Sequence, residues 1–364
     1  MNNIAHPSSI LNRDWIDTIR NEAALAEKQG SLTAAQLELI YKLGWFKLFV
    51  PEENSGTKTS LPDALHLEEA LSWADGSFGW TVTLCAGAGW FGGFFDFDLA
   101  KEVFNAREVC LGGSGAPSGT AVRTENGYII TGRWKYATGA EHLTHFTANC
   151  TIKESEETEN AEPLVLPFIF ERAEVTIVND WNTIGLVATS SQSFEVKNLF
   201  VPYSRCFQIA ADARKVSQPI YEYPFLQFAE VTLAANISGM AVHFLDCCKD
   251  IFAKRFEGKK LKEPQQKLLT ERLLNAENNL AGARSDFYQV VEKSWQAVVE
   301  GDFITEQYLQ EISLKSRNLA SASHRLVDTL YPLCGLVAAN PASEINRVWR
   351  DIHTASQHSL LTLP

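Results

Sequence analysis

The sequence contains little that would point to disulfide bridges, nucleic acid or a charged membrane surface. Its seven cysteines include no pair with C-x-x-C spacing, so free thiols in a reducing cytoplasm explain them better than bridges or zinc. The formal net charge is −12, and no basic run is longer than the short one from Lys254 to Lys262. This charge argues against a nucleic-acid partner and against an anionic membrane surface.

Targeting signals and membrane-spanning segments are also missing from the sequence. The amino terminus lacks the basic region followed by an apolar stretch that a signal peptide needs, and no uninterrupted apolar stretch is long enough to cross a membrane. No His, Asp or Glu cluster has metal-ligand spacing, and no G-x-S-x-G or Cys/His arrangement stands out. We therefore expect a cytoplasmic protein without a membrane segment and without a metal site.

The hydrophobic pattern divides the chain into three regions. Apolar residues recur every three or four positions from Asn12 to about Phe104, which predicts helices, and the period changes to two from about Val109. Helical periodicity returns after Pro219 and predicts four helices in an up-and-down bundle. The pattern therefore predicts a mainly α fold with a central β domain. The predicted domains are residues 1–108, 109–210 and 211–364.

Three local features refine this organisation. The segment after the turn at Asp75-Gly76 is apolar and rich in small residues, so we expect a helix that is buried on all sides. Asn126-Gly127 has the sequence of a hairpin turn between two strands. The acidic segment from Lys153 to Glu162 has few apolar residues and is predicted to be a solvated connection between strands.

The segment GRWKYATG, Gly132 to Gly139, combines a strand pattern with an indole, a second aromatic ring and a small hydroxyl. Trp134 and Tyr136 alternate with Lys135, so both rings are expected on one face of the strand, where either could pack on a flat redox ring. A glycine-rich segment precedes it, in which the backbone N–H groups of Gly113 and Ser114 could approach a phosphate or the edge of a flavin. These features together predict a flavin site.

The order of the elements and four sequence motifs resemble those of the acyl-CoA dehydrogenase superfamily along nearly the whole chain. The motifs are ALSWADGSFGW (Ala70 to Trp80), NGYIITGRWKYATG (Asn126 to Gly139), GLVATSSQSFEVKNLFVP (Gly185 to Pro202) and RVWRDIHTASQH (Arg347 to His358). The forms GRWKYATG and ADGSFGW look like those of the flavin-dependent hydroxylases within this superfamily. These hydroxylases are the oxygenase components of two-component systems.

The resemblance implies a reaction and an assembly. In this branch a separate reductase delivers reduced flavin, which reacts with O₂, and the C4a-hydroperoxide transfers oxygen to a small aromatic or apolar substrate. The cofactor would be FAD or reduced FMN. The family also tends to form tetramers through its helical bundle, so a homotetramer is expected.

The resemblance also bears on the catalytic base. A dehydrogenase of this superfamily needs a carboxylate to take the α-proton of a thioester, and most members place it eight residues after the Asp of the terminal RD motif. Counting from Asp351 gives Ser359, which cannot serve as that base. A minority take the base from the first helix of the bundle, close to Glu230. An acyl-CoA dehydrogenase with Glu230 as base is therefore the second hypothesis, and a flavin-binding homologue without turnover is the third.

Further site residues follow from the resemblance. His358 matches a histidine that faces flavin and substrate and could deprotonate a phenol or hold the distal peroxide oxygen. Thr138 matches a hydroxyl near flavin N5, and His142 matches a histidine that could reach substrate or flavin. The predicted cofactor contacts are Gly113, Ser114, Trp134, Tyr136, Ala137, Thr138, Thr189, Ser190 and Lys254. The remaining histidines, which have no motif around them and are assigned no role, are His6, His66, His145, His243, His324 and His353.

Overall fold

The computed structural model describes residues 4–153, 163–258 and 261–362. The acidic segment that the sequence predicts to connect two strands lies outside these ranges, except for Lys153, the last residue of a strand. The described chain is mainly helical with one central sheet, so the predicted fold class is confirmed. The domain boundaries drawn from the sequence remain predictions.

In the part of the chain that the structure describes, five α-helices precede the sheet. Asp75 ends the third and caps the fourth, because its side chain accepts a hydrogen bond from the backbone N–H of Phe78 at 3.0 Å. The fourth helix is buried along nearly its whole length, as its small apolar residues predict. A Cβ added at Gly79 would lie 2.4 Å from the Cα of Ser72, so glycine allows the third and fourth helices to pack in backbone contact. The helices are α1 (Arg13–Gln29), α2 (Ala34–Leu43), α3 (Leu61–Ala74), α4 (Gly76–Gly89) and α5 (Phe97–Phe104).

Within the described residues, six strands form one mixed sheet. The strands are β1 (Leu111–Arg123), β2 (Gly127–Ala137), β3 (His145–Lys153), β4 (Val165–Glu171), β5 (Thr176–Val178) and β6 (Gln192–Pro202). Their order is β4-β3-β1-β2-β6-β5, with β1 parallel to β3 and every other pair antiparallel. The predicted hairpin joins β1 to β2, and Gly127 is the first residue of β2 rather than part of the turn.

The remaining helices form the carboxyl-terminal bundle. They are α6 (Phe225–Glu257), α7 (Glu263–Glu300), α8 (Glu306–Cys334), α9 (Leu336–Ala339), α10 (Glu344–Ala355) and α11 (Ser359–Thr362). Helix α6 is the central element, with α3 and α8 packed against it. It has the length and hydropathy of a membrane-spanning helix, but 89% of its most apolar window is buried within the protein, as expected for a core helix.

The terminal R-D motif ties the bundle to the loop before β6. The Arg350 guanidinium donates to the Ile184 carbonyl at 2.8 Å, and the Asp351 carboxylate accepts from the Leu186 N–H at 2.6 Å. A Cβ at Gly185 would lie 2.0 Å from the Arg350 carbonyl oxygen, so the two backbones touch there. Two of the motifs recognised in the sequence are therefore in direct contact.

Candidate active site

A cavity of about 290 Å³ lies where α4, the sheet and α6 meet. Most of its lining is apolar or made of small residues, and the described residues that line it include no Asp or Glu. Five of the predicted site residues line it, and they come from three distant parts of the chain. They are Gly113, Ser114, Tyr136, Thr138 and His358.

The glycine-rich part of β1 forms one wall of the cavity. From Leu111 to Ser114 this strand pairs in parallel with β3, and the register then shifts, so that pairing resumes only at Gly119. Asn149 on β3 donates through Nδ2 to the Gly115 carbonyl at 2.8 Å and supports the irregular segment. Because Gly112, Gly113 and Gly115 carry no side chains, the wall exposes main-chain groups to the cavity.

The expectation that Trp134 and Tyr136 share a face of the strand is wrong. The pairing of β2 with β6 shifts register between Trp134 and Ala137, and Tyr136 adopts a positive φ of 67°. Trp134 is therefore fully buried in the sheet core, where it stacks on Phe194 and donates through Nε1 to the Asn149 carbonyl at 2.9 Å. Tyr136 is 67% exposed and lines the cavity.

Thr138 begins a chain of three buried hydroxyls. Its Oγ1 lies 3.0 Å from Ser191 Oγ, which lies 2.7 Å from Thr189 Oγ1, and that oxygen lies 2.8 Å from the Leu186 carbonyl. A carbonyl can only accept, so the Thr189 proton must point to Leu186 to avoid a repulsive oxygen–oxygen contact. Ser191 then donates to Thr189, and Thr138 donates to Ser191. Thr138 has no proton left for the cavity and offers only lone pairs.

Thr189 and Ser190 do not line the cavity. Thr189 acts through the hydroxyl chain, and Ser190 is buried in a left-handed conformation with φ 46° and an Oγ that has no partner among the described residues. Ala137 is likewise buried behind the cavity wall. Lys254 is exposed near the end of α6, away from the cavity.

His358 lines the cavity from the start of α11. Burial lowers its pKa, which favours the neutral imidazole. Its Nδ1 accepts a long hydrogen bond of 3.4 Å from the Leu360 N–H, so the neutral ring carries its proton on Nε2. In this tautomer Nε2 is a hydrogen-bond donor.

The other two predicted catalytic residues lie outside the cavity lining. His142 stacks on Phe46 with ring centroids 6.1 Å apart, and burial lowers its pKa to about 4. Glu230 is buried between α6 and α8, where it accepts from the Ser313 hydroxyl and pairs with Arg317 at 3.0 Å. Burial raises the pKa of Glu230, while Ser313 and Arg317 act in the opposite direction. Both contacts are with residues of α8, and Glu230 is not among the residues that line the cavity.

Sequence reasoning missed Ser191 and the structural role of the terminal motif. Ser191 is adjacent to Ser190 in a segment already recognised, but only its distances to Thr138 and Thr189 reveal its part in the hydroxyl chain. Asp351 served only as a reference for counting, whereas it anchors the loop that carries this chain.

Comparisons with known proteins agree with this architecture. Residues 231–362 match the family described as acyl-CoA dehydrogenase, C-terminal domain. An indole-3-acetate monooxygenase of Acinetobacter baumannii is 24% identical over 351 residues, covering 94% of this chain and 88% of the relative. The oxygenase subunit HsaA of a flavin-dependent monooxygenase from Rhodococcus jostii is 24% identical over 362 residues, covering 94% and 92% of the two chains.

Solved structures show the same fold. The HsaA monooxygenase of M. tuberculosis superposes with a TM-score of 0.88 at 22% identity, over 98% of this chain and 96% of the other. XiaF from Streptomyces sp., solved in complex with FADH2 and glycerol, gives a TM-score of 0.87 at 20% identity, over 98% and 92% of the two chains. The resemblance drawn from the motifs is therefore confirmed: the chain has the acyl-CoA dehydrogenase fold and is related to the oxygenase subunits of flavin-dependent monooxygenases.

Proposed function

We propose that this chain is the oxygenase component of a two-component monooxygenase. It would take reduced flavin from a separate reductase and use O₂ to hydroxylate a small aromatic or apolar substrate. The observation that carries the proposal is the convergence of Gly113, Tyr136, Thr138 and His358 on one cavity. Two relatives that cover nearly the whole chain are named as an indole-3-acetate monooxygenase and as the oxygenase subunit of a flavin-dependent monooxygenase.

The residues of the cavity fit a flavin. Its volume of about 290 Å³ is near the lower end of ligand pockets, which begin at roughly 300 Å³. Gly87 and Gly115 border open space, since an added Cβ would meet no atom within 4 Å, and the wall offers main-chain groups at Gly113. Small residues and main-chain groups along the wall are suited to an aromatic ring with polar edges. When bound, reduced flavin would supply two of the four electrons that O₂ takes up; the substrate supplies the other two as its C–H bond becomes C–OH, and the second oxygen atom leaves as water.

The residues of this chain would bind and orient the flavin and the substrate, and they would exclude water from the cavity. Thr138 presents lone pairs only, so it would accept a hydrogen bond from the N–H group of a reduced flavin. His358 would donate from Nε2 to an oxygen atom near the reacting centre. Phe91, Phe225 and Phe228 are among the apolar residues that would keep water out.

The acyl-CoA dehydrogenase hypothesis is less well supported. That reaction needs a carboxylate beside the substrate, and no Asp or Glu lines the cavity within the described ranges. Glu230 does not line the cavity, because Ser313 and Arg317 of α8 hold its carboxylate. A flavin-binding homologue without turnover remains an outcome of the test below.

The substrate, assembly and location belong to the same proposal. An aromatic substrate suits the apolar lining, and relatives are named for indole-3-acetate and resorcinol. We propose a homotetramer, as expected for the family, and a cytoplasmic protein, which agrees with seven cysteines that are all free. The cofactor would be FAD or FMN in its reduced form.

Anaerobic binding followed by isotope-labelled oxygen tests the proposal. Reduced FAD and reduced FMN are titrated without oxygen, and the complex is then mixed with ¹⁸O₂ and a panel of phenols and indoles. We expect saturable binding of a reduced flavin and one ¹⁸O atom in the product. Hydrogen peroxide as the sole product with every aromatic substrate would contradict a monooxygenase on this class.

Two controls distinguish the alternatives. Loss of flavin absorbance when oxidised holoprotein is mixed with acyl-CoA thioesters would indicate a dehydrogenase instead. No binding of any flavin, in either redox state, would contradict both enzymatic readings.

A further inference from the structure

A second cluster of ligand-bearing side chains lies away from the cavity, between α8 and α10. His324 and Asp328 are four residues apart on α8, so they share one face of the helix, and His353 reaches them from α10. The ligand atoms of the three side chains all lie within 4.8 Å of one another. All three groups are at least partly accessible to solvent.

The hydrogen bonds of His353 leave an unsatisfied contact in the absence of a cation. Its Nδ1 lies 2.7 Å from the Trp349 carbonyl and must donate there. In the neutral ring, Nε2 then carries a lone pair, yet it faces Asp328 Oδ1 at 3.1 Å, which also offers only lone pairs. A proton on Nε2 or a metal ion between the two atoms would satisfy both. A ring whose Nδ1–H donates to a carbonyl is also the usual arrangement for a histidine that binds metal through Nε2.

The distances from the Asp328 carboxylate to the two imidazole nitrogens, 3.4 Å to His324 and 3.1 Å to His353, are close to those around one shared ion. His324 Nδ1 lies 3.4 Å from Asp328 Oδ2, and the two imidazole centroids are 4.8 Å apart. Ligands of a tetrahedral zinc ion with bonds of about 2.0–2.1 Å lie roughly 3.3 Å from each other. We propose that His324, Asp328 and His353 bind a divalent transition-metal ion of the zinc class, which joins α8 to α10.

A competing triad is less well suited to a cation. His243, Cys247 and Glu344 also lie close together, but the neutral His243 ring can donate from Nε2 to Glu344 at 3.0 Å. The hydrogen bond from His243 lowers the pKa of the Glu344 carboxyl to about 2, and the charges of Arg20 and Arg347 add to this effect. By contrast, Asp328 has no ion pair with Lys or Arg within the described ranges.

The proposed ion would act on the terminal segment. His353 lies five residues before His358, so a bond between α8 and α10 would hold the helix that leads to the cavity. The N₂O ligand set leaves a fourth position open to water, as in zinc sites with three protein ligands. The site depends on neither the flavin nor the proposed reaction.

Zinc binding by the untagged full-length chain tests the site. After treatment with a chelator and its removal, Zn²⁺ is titrated in competition with a chromophoric zinc indicator. We expect one equivalent to bind, with affinity reduced at least tenfold in His324→Gln and in His353→Gln. Cys247→Ser, in the competing triad, and His6→Gln, which removes a two-group pair with Asp246, should bind as the wild type does.

Thermal unfolding separates binding from misfolding. Without metal, His324→Gln and His353→Gln should unfold within a few degrees of the wild type, and added Zn²⁺ should raise the midpoint of the wild type but not of these two variants. Absence of zinc binding by the wild type would overturn the proposal. So would wild-type affinity in His324→Gln and His353→Gln, or a loss confined to Cys247→Ser.

Discussion

The two faces of α6 differ in the groups they carry. Phe225, Phe228, Ala229 and Thr232 follow a helical spacing and line the cavity with apolar atoms and one hydroxyl. Glu230 is the next residue after Ala229, about 100° further around the helix, and its carboxylate contacts α8 instead. A shift of one position on this helix therefore separates a residue of the cavity wall from a buried ion pair.

The same division holds for other buried carboxylates. Glu69 on α3 accepts from both Arg284 and Tyr288, and Asp351 accepts from the Leu186 N–H. All of these groups lie at contacts between elements, whereas the polar groups of the cavity are hydroxyls, an imidazole and main-chain atoms. These buried carboxyl groups join elements of the fold, and neutral groups line the cavity.

The largest effect is expected at His358, the imidazole that lines the cavity. Its substitution tests whether the neutral groups of the cavity carry the chemistry. In His358→Gln we expect hydroxylation to fall at least about 100-fold, because a positioned proton-transfer group contributes roughly 10²–10⁴-fold to a rate. Binding of reduced flavin should change less than threefold. Product formation and anaerobic flavin titration measure the two effects. His142→Gln is the matched control, since that ring lies outside the cavity lining; equal losses in both variants would contradict a role specific to His358.

Asp351 tests the buried carboxyl groups between elements through the pH dependence of the free energy of unfolding. Burial raises its pKa well above the ordinary 3.8, and Asp75 adds to this, so the folded protein keeps a proton that the unfolded chain has lost. Stability contributed by this group must fall as the pH rises above 3.8. Asp351→Asn removes the effect while keeping an oxygen for Leu186. As the pH rises, we expect the free energy of unfolding of Asp351→Asn to increase relative to that of the wild type by up to about 1.4 kcal/mol per pH unit.

Urea denaturation at pH 5, 6 and 7 measures this difference. Asp286→Asn serves as the control, because that carboxylate lies at the surface beside Lys315. A constant gap between Asp351→Asn and the wild type over this range would show that the carboxyl of Asp351 does not change protonation there.

Substitution of Glu230 tests whether this residue of α6 contributes to stability or to catalysis. In Glu230→Gln we expect the free energy of unfolding to fall by about 1–2 kcal/mol, because the partly buried hydrogen bond that Arg317 donates loses its charged acceptor. Hydroxylation should stay within about threefold of wild type. Arg317→Gln should produce a similar loss of stability, with activity preserved. Loss of all turnover in Glu230→Gln with normal folding would return Glu230 to the list of catalytic candidates.

The sequence predicted the larger features because they depend on periodicity and on motif order. The change from a helical to a strand period placed the sheet between two helical regions, and the glycine-rich segment, Thr138 and His358 do meet in one cavity. Alternation failed at Tyr136, because a strand pattern cannot show that a non-glycine residue adopts a positive φ. Spacing also could not orient Glu230, since helical position is sensitive to a single residue.

Contacts between segments that are distant in the chain could not be predicted from the sequence. The spacing of His324 and Asp328 is visible in it, but His353 joins them only because α10 packs beside α8. The polarity of the hydroxyl chain likewise depends on the distance from Thr189 to the Leu186 carbonyl. Such arrangements follow from packing and not from any local pattern.

Ser191 gives the smallest and most specific test of the cavity side. In Ser191→Ala, Thr138 loses its acceptor, so its hydroxyl can turn and donate into the cavity. Oxidised flavin accepts at N5, whereas reduced flavin carries a proton there, so the preference for reduced over oxidised flavin should fall about two- to tenfold, the effect of one hydrogen bond. Dissociation constants for both redox states, from anaerobic and aerobic titrations, give the ratio. Ser193→Ala, whose hydroxyl instead contacts Asp180, should leave it unchanged. If the ratio in Ser191→Ala equals that of wild type, the hydroxyl chain does not orient Thr138.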